Sequence, residues 1–85
     1  MKKVVLLKSP TCMPCKILSP IMKAVCADLS IEYKEHMVTE GDGLAISQSL
    51  GVRQVPAYAL YENDTLVKHA TGNISKDNLI KWLTE

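Results

Sequence analysis

Two cysteines separated by two residues, Cys12 and Cys15, constrain this chain more than any other feature. The apolar run Val4–Leu7 precedes them, as expected of a central strand covered on both faces, and a long helical pattern follows. A Cys-x-x-Cys pair at a strand-to-helix junction is a redox signal in an intracellular chain. Because both sulfurs then lie within disulfide reach on the first helical turn, the spacing predicts a redox-active dithiol.

The expected position at a helix N-terminus indicates which sulfur reacts first. The unpaired N–H groups of the first turn carry partial positive charge and favour a thiolate on Cys12. We therefore expect Cys12 to attack disulfides, and Cys15, one turn further in and more buried, to resolve the mixed disulfide. Pro14 stiffens the segment between them and lacks an N–H that could bond the thiolate.

A structural cysteine pair or a zinc site is the alternative interpretation of the same motif. Zinc would need two further ligands, and Cys26, His36 and His69 do not form a second spaced pair. We therefore favour a redox dithiol and expect no metal. Cys26 lies on the apolar helical face, so we expect it to be a core residue that behaves as a small hydrophobe, with a second regulatory thiol as the alternative.

The composition fits one small domain over residues 1–85, with a net charge of +1. The chain has no basic tract and no apolar segment long enough to cross a bilayer, so we expect neither a nucleic-acid nor a membrane partner. The odd count of three cysteines argues against a secreted disulfide framework. We therefore expect a cytoplasmic protein, and we assume a monomer.

Hydrophobic periodicity and turn residues predict an α/β chain with the order βαβαββα. The predicted elements are a strand at Val4–Leu7, a helix from Cys12 or Met13 to about Leu29, a strand at Ile31–Met37, a short helix ending at Gly51, strands at Ala57–Tyr61 and Thr65–Ala70, and a helix through about Leu83. The first βαβ unit should be parallel and right-handed, and the later strand pair should form a hairpin.

Local signals within these elements give more specific expectations. Ile17, Ile21 and Val25 recur every four residues and, joined by Leu18, Met22 and Leu29, predict the buried face of an amphipathic first helix. Asp42 is a plausible N-cap of the second helix, and Ser75 of the last.

The segment Cys12-x-Pro14-Cys15-Lys16, followed by Pro20, resembles the active-site motif of the thioredoxin superfamily. The preceding Ser9-Pro10-Thr11 is more similar to the short, glutaredoxin-sized redoxins of microbes. The resemblance covers nearly the whole chain. It implies a minimal thioredoxin fold: a four-stranded mixed sheet with helices on both faces, without the extra strand and helix at the front of full-length thioredoxins.

The resemblance also implies a substrate-binding surface. Pro56 matches a proline that follows a cis peptide bond, lies against the cysteine pair and presents the backbone of Val55 to a peptide substrate. Gly72 matches a glycine that lets the substrate backbone approach. An ordinary strand-start proline and a simple turn glycine are the alternatives. The implied substrate contacts are Thr11, Met13, Pro14, Val55, Pro56 and Gly72.

Two positions depart from the thioredoxin pattern. Thr11 stands where a tryptophan normally precedes the first cysteine, and Leu6 stands where a buried acid normally assists proton transfer at the resolving cysteine. Water or the leaving thiolate would then have to take the proton of Cys15. Glutaredoxins lack the acid as well, so its loss need not abolish activity.

Together these features predict an oxidoreductase that reduces protein disulfides and needs no cofactor beyond the redox-active Cys12–Cys15 disulfide. Either a thioredoxin-reductase-type enzyme or glutathione would return its electrons. Gly72 is followed by Asn73 rather than by the second glycine of glutaredoxins, which favours the thioredoxin-like interpretation. A glutaredoxin-like electron donor and a non-catalytic module that binds partners through Val55–Pro56 are the alternatives.

Overall fold

The computed structural model describes residues 1–85 and contains seven elements in the predicted order. They are β1 (Lys2–Lys8), α1 (Met13–Asp28), β2 (Glu32–Met37), α2 (Gly41–Leu50), β3 (Ala57–Glu62), β4 (Thr65–Thr71) and α3 (Lys76–Thr84). The predicted βαβαββα order is therefore confirmed. Most strand and helix ends lie within one or two residues of their predicted positions.

The strands form one mixed sheet in the order β2-β1-β3-β4. β1 is parallel to β2 and antiparallel to β3, and β3 is antiparallel to β4. Leu7 pairs with Ala57, and Ala57 pairs with Thr71. The end of β1, the start of β3 and the end of β4 therefore lie side by side at one end of the sheet.

β1 occupies a central position that explains its continuous apolar run. Because successive side chains point to opposite faces, Val4 and Leu6 pack under α1 and α3, whereas Val5 and Leu7 pack on the side of α2. The helices thus cover both faces, as predicted. The strand is also fixed at its end, since the Val38 N–H donates to the Lys8 carbonyl at 2.9 Å.

The buried face of α1 differs from the prediction at one residue. Leu18, Met22 and Val25 are each at most 1% exposed, whereas Ile17 is 62% exposed. The prediction that Ile17 shares the buried face was wrong, because the helix turns about 100° per residue and a neighbouring stripe faces the sheet. Cys26 is fully buried in this core, which confirms the sequence-based expectation.

The ends of α2 follow one prediction and contradict another. Glu40, not Asp42, is the N-cap, and its side chain makes no capping hydrogen bond. Asp42 lies instead in the first turn, where its negative charge still complements the helix dipole. Gly51 ends the helix as predicted, in the left-handed conformation with φ 68°.

The C-terminal hairpin and helix follow the turn and cap signals. Asn63 and Asp64 both have positive φ, which matches the tight turn predicted between β3 and β4. Ser75 caps α3, since its hydroxyl accepts the N–H of Asn78 at 3.2 Å. None of the helices combines the length and the apolarity needed to cross a membrane.

Candidate active site

Cys12 is itself the N-cap of α1. Its backbone is extended, with φ −85° and ψ 100°, and its Sγ accepts the backbone N–H of Cys15 at 3.1 Å. Pro14 lies in the first turn, where its missing N–H leaves no hydrogen bond unmade. The sulfur of Cys12 therefore takes the place of the oxygen that usually caps a helix, and it lies at the positive end of the helix dipole.

The two sulfurs are joined in a disulfide, and the Cα atoms of Cys12 and Cys15 are 5.2 Å apart. Cys12 is 7% exposed and Cys15 only 1%. Cys12 is thus the more accessible residue of the pair, whereas Cys15 is almost completely enclosed. Thr11, Met13 and Pro14 are exposed around the pair, with Met13 63% exposed.

The segment before β3 ends in a backbone with free hydrogen-bonding groups. The peptide bond between Val55 and Pro56 is cis, and Pro56 is buried while Val55 is partly exposed. Neither the N–H nor the C=O of Val55 has a partner within the chain. An extended peptide alongside this residue can therefore form backbone hydrogen bonds with it.

Gly72 is hydrogen-bonded to the segment that contains Val55 and Pro56. Its N–H donates to the Pro56 carbonyl at 2.8 Å, and its φ of 92° lies in the region that favours glycine. A Cβ added there would meet no atom within 4 Å, so the space beside it is open. Next to it, the Gln54 side chain donates to the Thr71 hydroxyl at 3.2 Å. Both loops are thus fixed to each other at the end of the sheet from which the cysteine loop leaves.

A carboxylate from a neighbouring strand lies on the same side of the sheet as α1. Leu6, where thioredoxins carry an acid, is fully buried in the apolar core. Glu35 of β2 instead accepts hydrogen bonds from Lys8 Nζ at 2.5 Å, from Tyr33 Oη at 2.6 Å and from the Ser19 hydroxyl. Burial by itself would raise the pKa of Glu35, but these hydrogen bonds outweigh it and lower the pKa to about 2.

Sequence reasoning missed this network. Its one visible signal was that Tyr33 and Glu35 alternate on the predicted strand and so share a face. Beside it lies a cavity of about 300 Å³, whose lining includes Lys8, Ser19, Met37 and Cys15. The cavity therefore reaches Cys15 but not Cys12.

The remaining titratable candidates do not join the site. Burial raises the pKa of the Cys26 thiol to about 11, so this thiol stays protonated near neutral pH. No group of three His, Cys, Asp or Glu side chains is placed to hold a metal ion.

Comparison with known proteins gives a consistent result. The family model described as Thioredoxin matches residues 1–85. A thioredoxin from Rickettsia bellii is 28% identical over 72 residues, which make up 85% of this chain and 69% of that protein. A thioredoxin-like protein from Synechocystis is 30% identical over 74 residues, or 87% of this chain and 68% of that protein. A solved thioredoxin variant from Halobacterium salinarum NRC-1 has a TM-score of 0.86 at 22% identity, covering 96% of this chain and 71% of that one.

Proposed function

The chain belongs to the thioredoxin family and is a thioredoxin-like dithiol–disulfide oxidoreductase, and on that premise we propose that Cys12 is its nucleophile and Cys15 its resolving thiol. The observation that carries this assignment is the hydrogen bond from the Cys15 N–H to the Sγ of Cys12. A thiolate at that position accepts an N–H at the positive end of α1, which stabilises the charged form over the thiol.

The reaction transfers two electrons from the dithiol to the substrate. The Cys12 thiolate attacks one sulfur of a substrate disulfide, the substrate S–S bond breaks, and the leaving thiolate takes a proton from water. Cys15 then loses its proton and attacks the Sγ of Cys12. The mixed disulfide breaks, the second substrate thiol is released, and the Cys12–Cys15 disulfide remains.

We place the substrate on the surface formed by the three segments at this end of the sheet. The free N–H and C=O of Val55 support pairing with an extended substrate segment, and the open space at Gly72 lets that backbone approach. Thr11, Met13 and Pro14 flank the sulfurs on the exposed side. This arrangement suits disulfides in proteins or peptides, because a small disulfide has no backbone to pair with Val55.

We propose that a thioredoxin-reductase-type enzyme returns the electrons. The thioredoxin relatives and the single glycine before Asn73 support this donor over glutathione. We also propose that the chain acts as a monomer, because both cysteines of the reaction belong to one copy of the chain. A cytoplasmic location fits the odd number of three cysteines, since a working pair and one buried thiol do not form a secreted disulfide framework.

Trapping of the mixed disulfide tests the two roles together. Cys15→Ser should accumulate a covalent complex with a disulfide-bonded protein such as insulin, seen by mass spectrometry and released by dithiothreitol. Cys12→Ser should form no complex and should leave insulin reduction at the uncatalysed rate. Cys26→Ala, which places no polar group in the apolar core, is the matched control and should behave like the parent chain. A complex formed through Cys15 in the Cys12→Ser protein would reverse the assignment, and a chain that binds insulin without reducing it would be a binding module instead.

A further inference from the structure

The second step of the proposed reaction creates a negative charge at a buried atom. Cys15 is only 1% exposed, and the Leu6 side chain below it is fully buried and apolar. Burial disfavours a charged sulfur, so a thiolate there needs a compensating group. In thioredoxins an acid at the position of Leu6 assists this step, and this chain has none there.

The positively charged side chain of Lys8 lines the same cavity as Cys15. The cavity volume of about 300 Å³ has room for several water molecules, and Lys8, Lys16, Ser19 and Cys15 are among its lining residues. The Lys8 side chain is 28% exposed, and its ammonium donates one hydrogen bond, to Glu35. Two of its three N–H groups therefore remain for water in the cavity.

Glu35 fixes this ammonium without lining the cavity itself. Its carboxylate accepts from Lys8, Ser19 and Tyr33, so both oxygens are occupied. The charged and titratable groups on this side of Cys15 are then Lys8 from β1, Glu35 and Tyr33 from β2, and Lys16 and Cys12 from the cysteine loop and α1. Tyr33 stays neutral, and the exposed Lys16 is surrounded by water that screens its charge. Lys8 lines the cavity and Glu35 does not, so the cavity shared with Cys15 meets the positive member of this ion pair.

We propose that Lys8, anchored by Glu35, is a positioning residue that stabilises the negative charge on Cys15 through water in this cavity while Cys15 resolves the mixed disulfide. The proposal rests on the assignment of Cys15 as the resolving thiol. The proton of Cys15 passes to cavity water, the Cys15 sulfur bonds to the Sγ of Cys12, and the bond from Cys12 to the substrate sulfur breaks. No oxidant beyond the substrate disulfide is required.

Reaction of the reduced chain with an aromatic disulfide such as dithionitrobenzoate separates the two steps. The first release of thionitrobenzoate reports attack by Cys12, and the second reports attack by Cys15. Lys8→Met should slow the second release about tenfold at neutral pH and move its pH midpoint up by about one unit, since a tenfold change corresponds to one unit. The first release should change by less than about threefold, because Cys12 does not line the cavity.

Two further variants distinguish charge from structure. Lys8→Arg retains the positive charge and should restore the second rate to within about threefold of the parent. Glu35→Gln keeps an oxygen for the Lys8 ammonium but removes the negative charge, so the pH midpoint of the second release should move down, opposite to Lys8→Met. Lys3→Met is the matched control on the same strand, since Lys3 is 31% exposed and pairs with Asp64 on the other side of the sheet.

The outcomes separate this proposal from the one on which it depends. Equal slowing by Lys8→Met and Lys8→Arg, an unmoved pH midpoint, or the same shift in Lys3→Met would overturn the role of Lys8. Persistence of the second release in Cys15→Ser would overturn the assignment of the resolving thiol instead. If Lys8→Met fails to fold, Lys8→Gln takes its place: an upward shift of the pH midpoint of the second release supports the role of Lys8, and an absent or downward shift overturns it.

Discussion

The backbone N–H of Cys15 donates a hydrogen bond to the Sγ of Cys12 at 3.1 Å, so the second cysteine of the pair holds the first through its main chain. This bond needs no side chain of Cys15. It therefore persists when Cys15 is replaced, provided that the first turn of α1 keeps its conformation. The Cys15→Ser protein should accordingly retain the rate of the first attack, which makes it a fair trap for the mixed disulfide.

The thiols of the reduced chain should differ sharply in alkylation by iodoacetamide. Cys12 lies at the helix N-terminus and should react first, whereas a pKa of about 11 leaves only about one Cys26 side chain in ten thousand ionised at neutral pH. Peptide mapping by mass spectrometry should find Cys26 unmodified in the folded chain and modified after denaturation. Labelling of Cys26 in the native chain at a rate similar to that of Cys12 would contradict its burial.

Acid should destabilise the chain through Glu35. Its folded pKa of about 2 lies below its ordinary value of 4.5, so its contribution to stability is present above pH 4.5 and is lost as the pH falls towards 2. The difference corresponds to an upper value of roughly 3 kcal/mol. Urea unfolding at a series of pH values should show that the free energy of unfolding falls less steeply with acid in Glu35→Gln than in the parent chain. An equal fall in both proteins would count against the hydrogen-bonded network.

Two glycines provide a matched test of the substrate surface. Gly72 and Gly51 both have positive φ, 92° and 68°, and an added Cβ would meet no atom within 4 Å at either position. Gly72→Ala and Gly51→Ala should therefore each lose about 1–2 kcal/mol of folding stability through backbone strain. Only Gly72→Ala should raise the KM for insulin, with little effect on a small aromatic disulfide. An equal rise in KM for Gly51→Ala would show that the effect comes from stability alone.

Substitutions along α1 test which stripe is buried. Leu18→Ala should cost about 2–5 kcal/mol, since the side chain is 1% exposed and its loss leaves a cavity. Ile17→Ala should change the free energy of unfolding by less than about 0.5 kcal/mol, because Ile17 is 62% exposed. Urea denaturation measures both. A large loss of folding stability in Ile17→Ala together with a small loss in Leu18→Ala would show that Ile17, not Leu18, faces the sheet.

The sequence was sufficient where the signal is local. The spacing of Cys12 and Cys15, the apolar run Val4–Leu7 and the capping residue Ser75 each depend on a few neighbouring residues, and the structure follows them. Ile17 was misplaced because two adjacent stripes of α1 are both apolar, and only the neighbouring sheet decides between them. Asp42 was misplaced because a cap depends on where the preceding chain turns, which its residue type alone does not specify.

The network around Glu35 could not be predicted for a different reason. Lys8 and Glu35 are 27 residues apart, and their contact depends on the register in which Lys8 pairs with Met37. A shift of one residue would turn Glu35 to the other face of the sheet. The same holds for the hydrogen bond from Gly72 to Pro56, which joins two loops that are distant in sequence.

The hydrogen bond from the Val38 N–H to the Lys8 carbonyl fixes the point at which the cysteine loop leaves the sheet. β1 is also hydrogen-bonded to a strand on each side, so both neighbours hold this departure point in the sheet. We therefore expect the gain or loss of two electrons to move mainly the atoms around the two sulfurs, while the sheet below them keeps its hydrogen bonds.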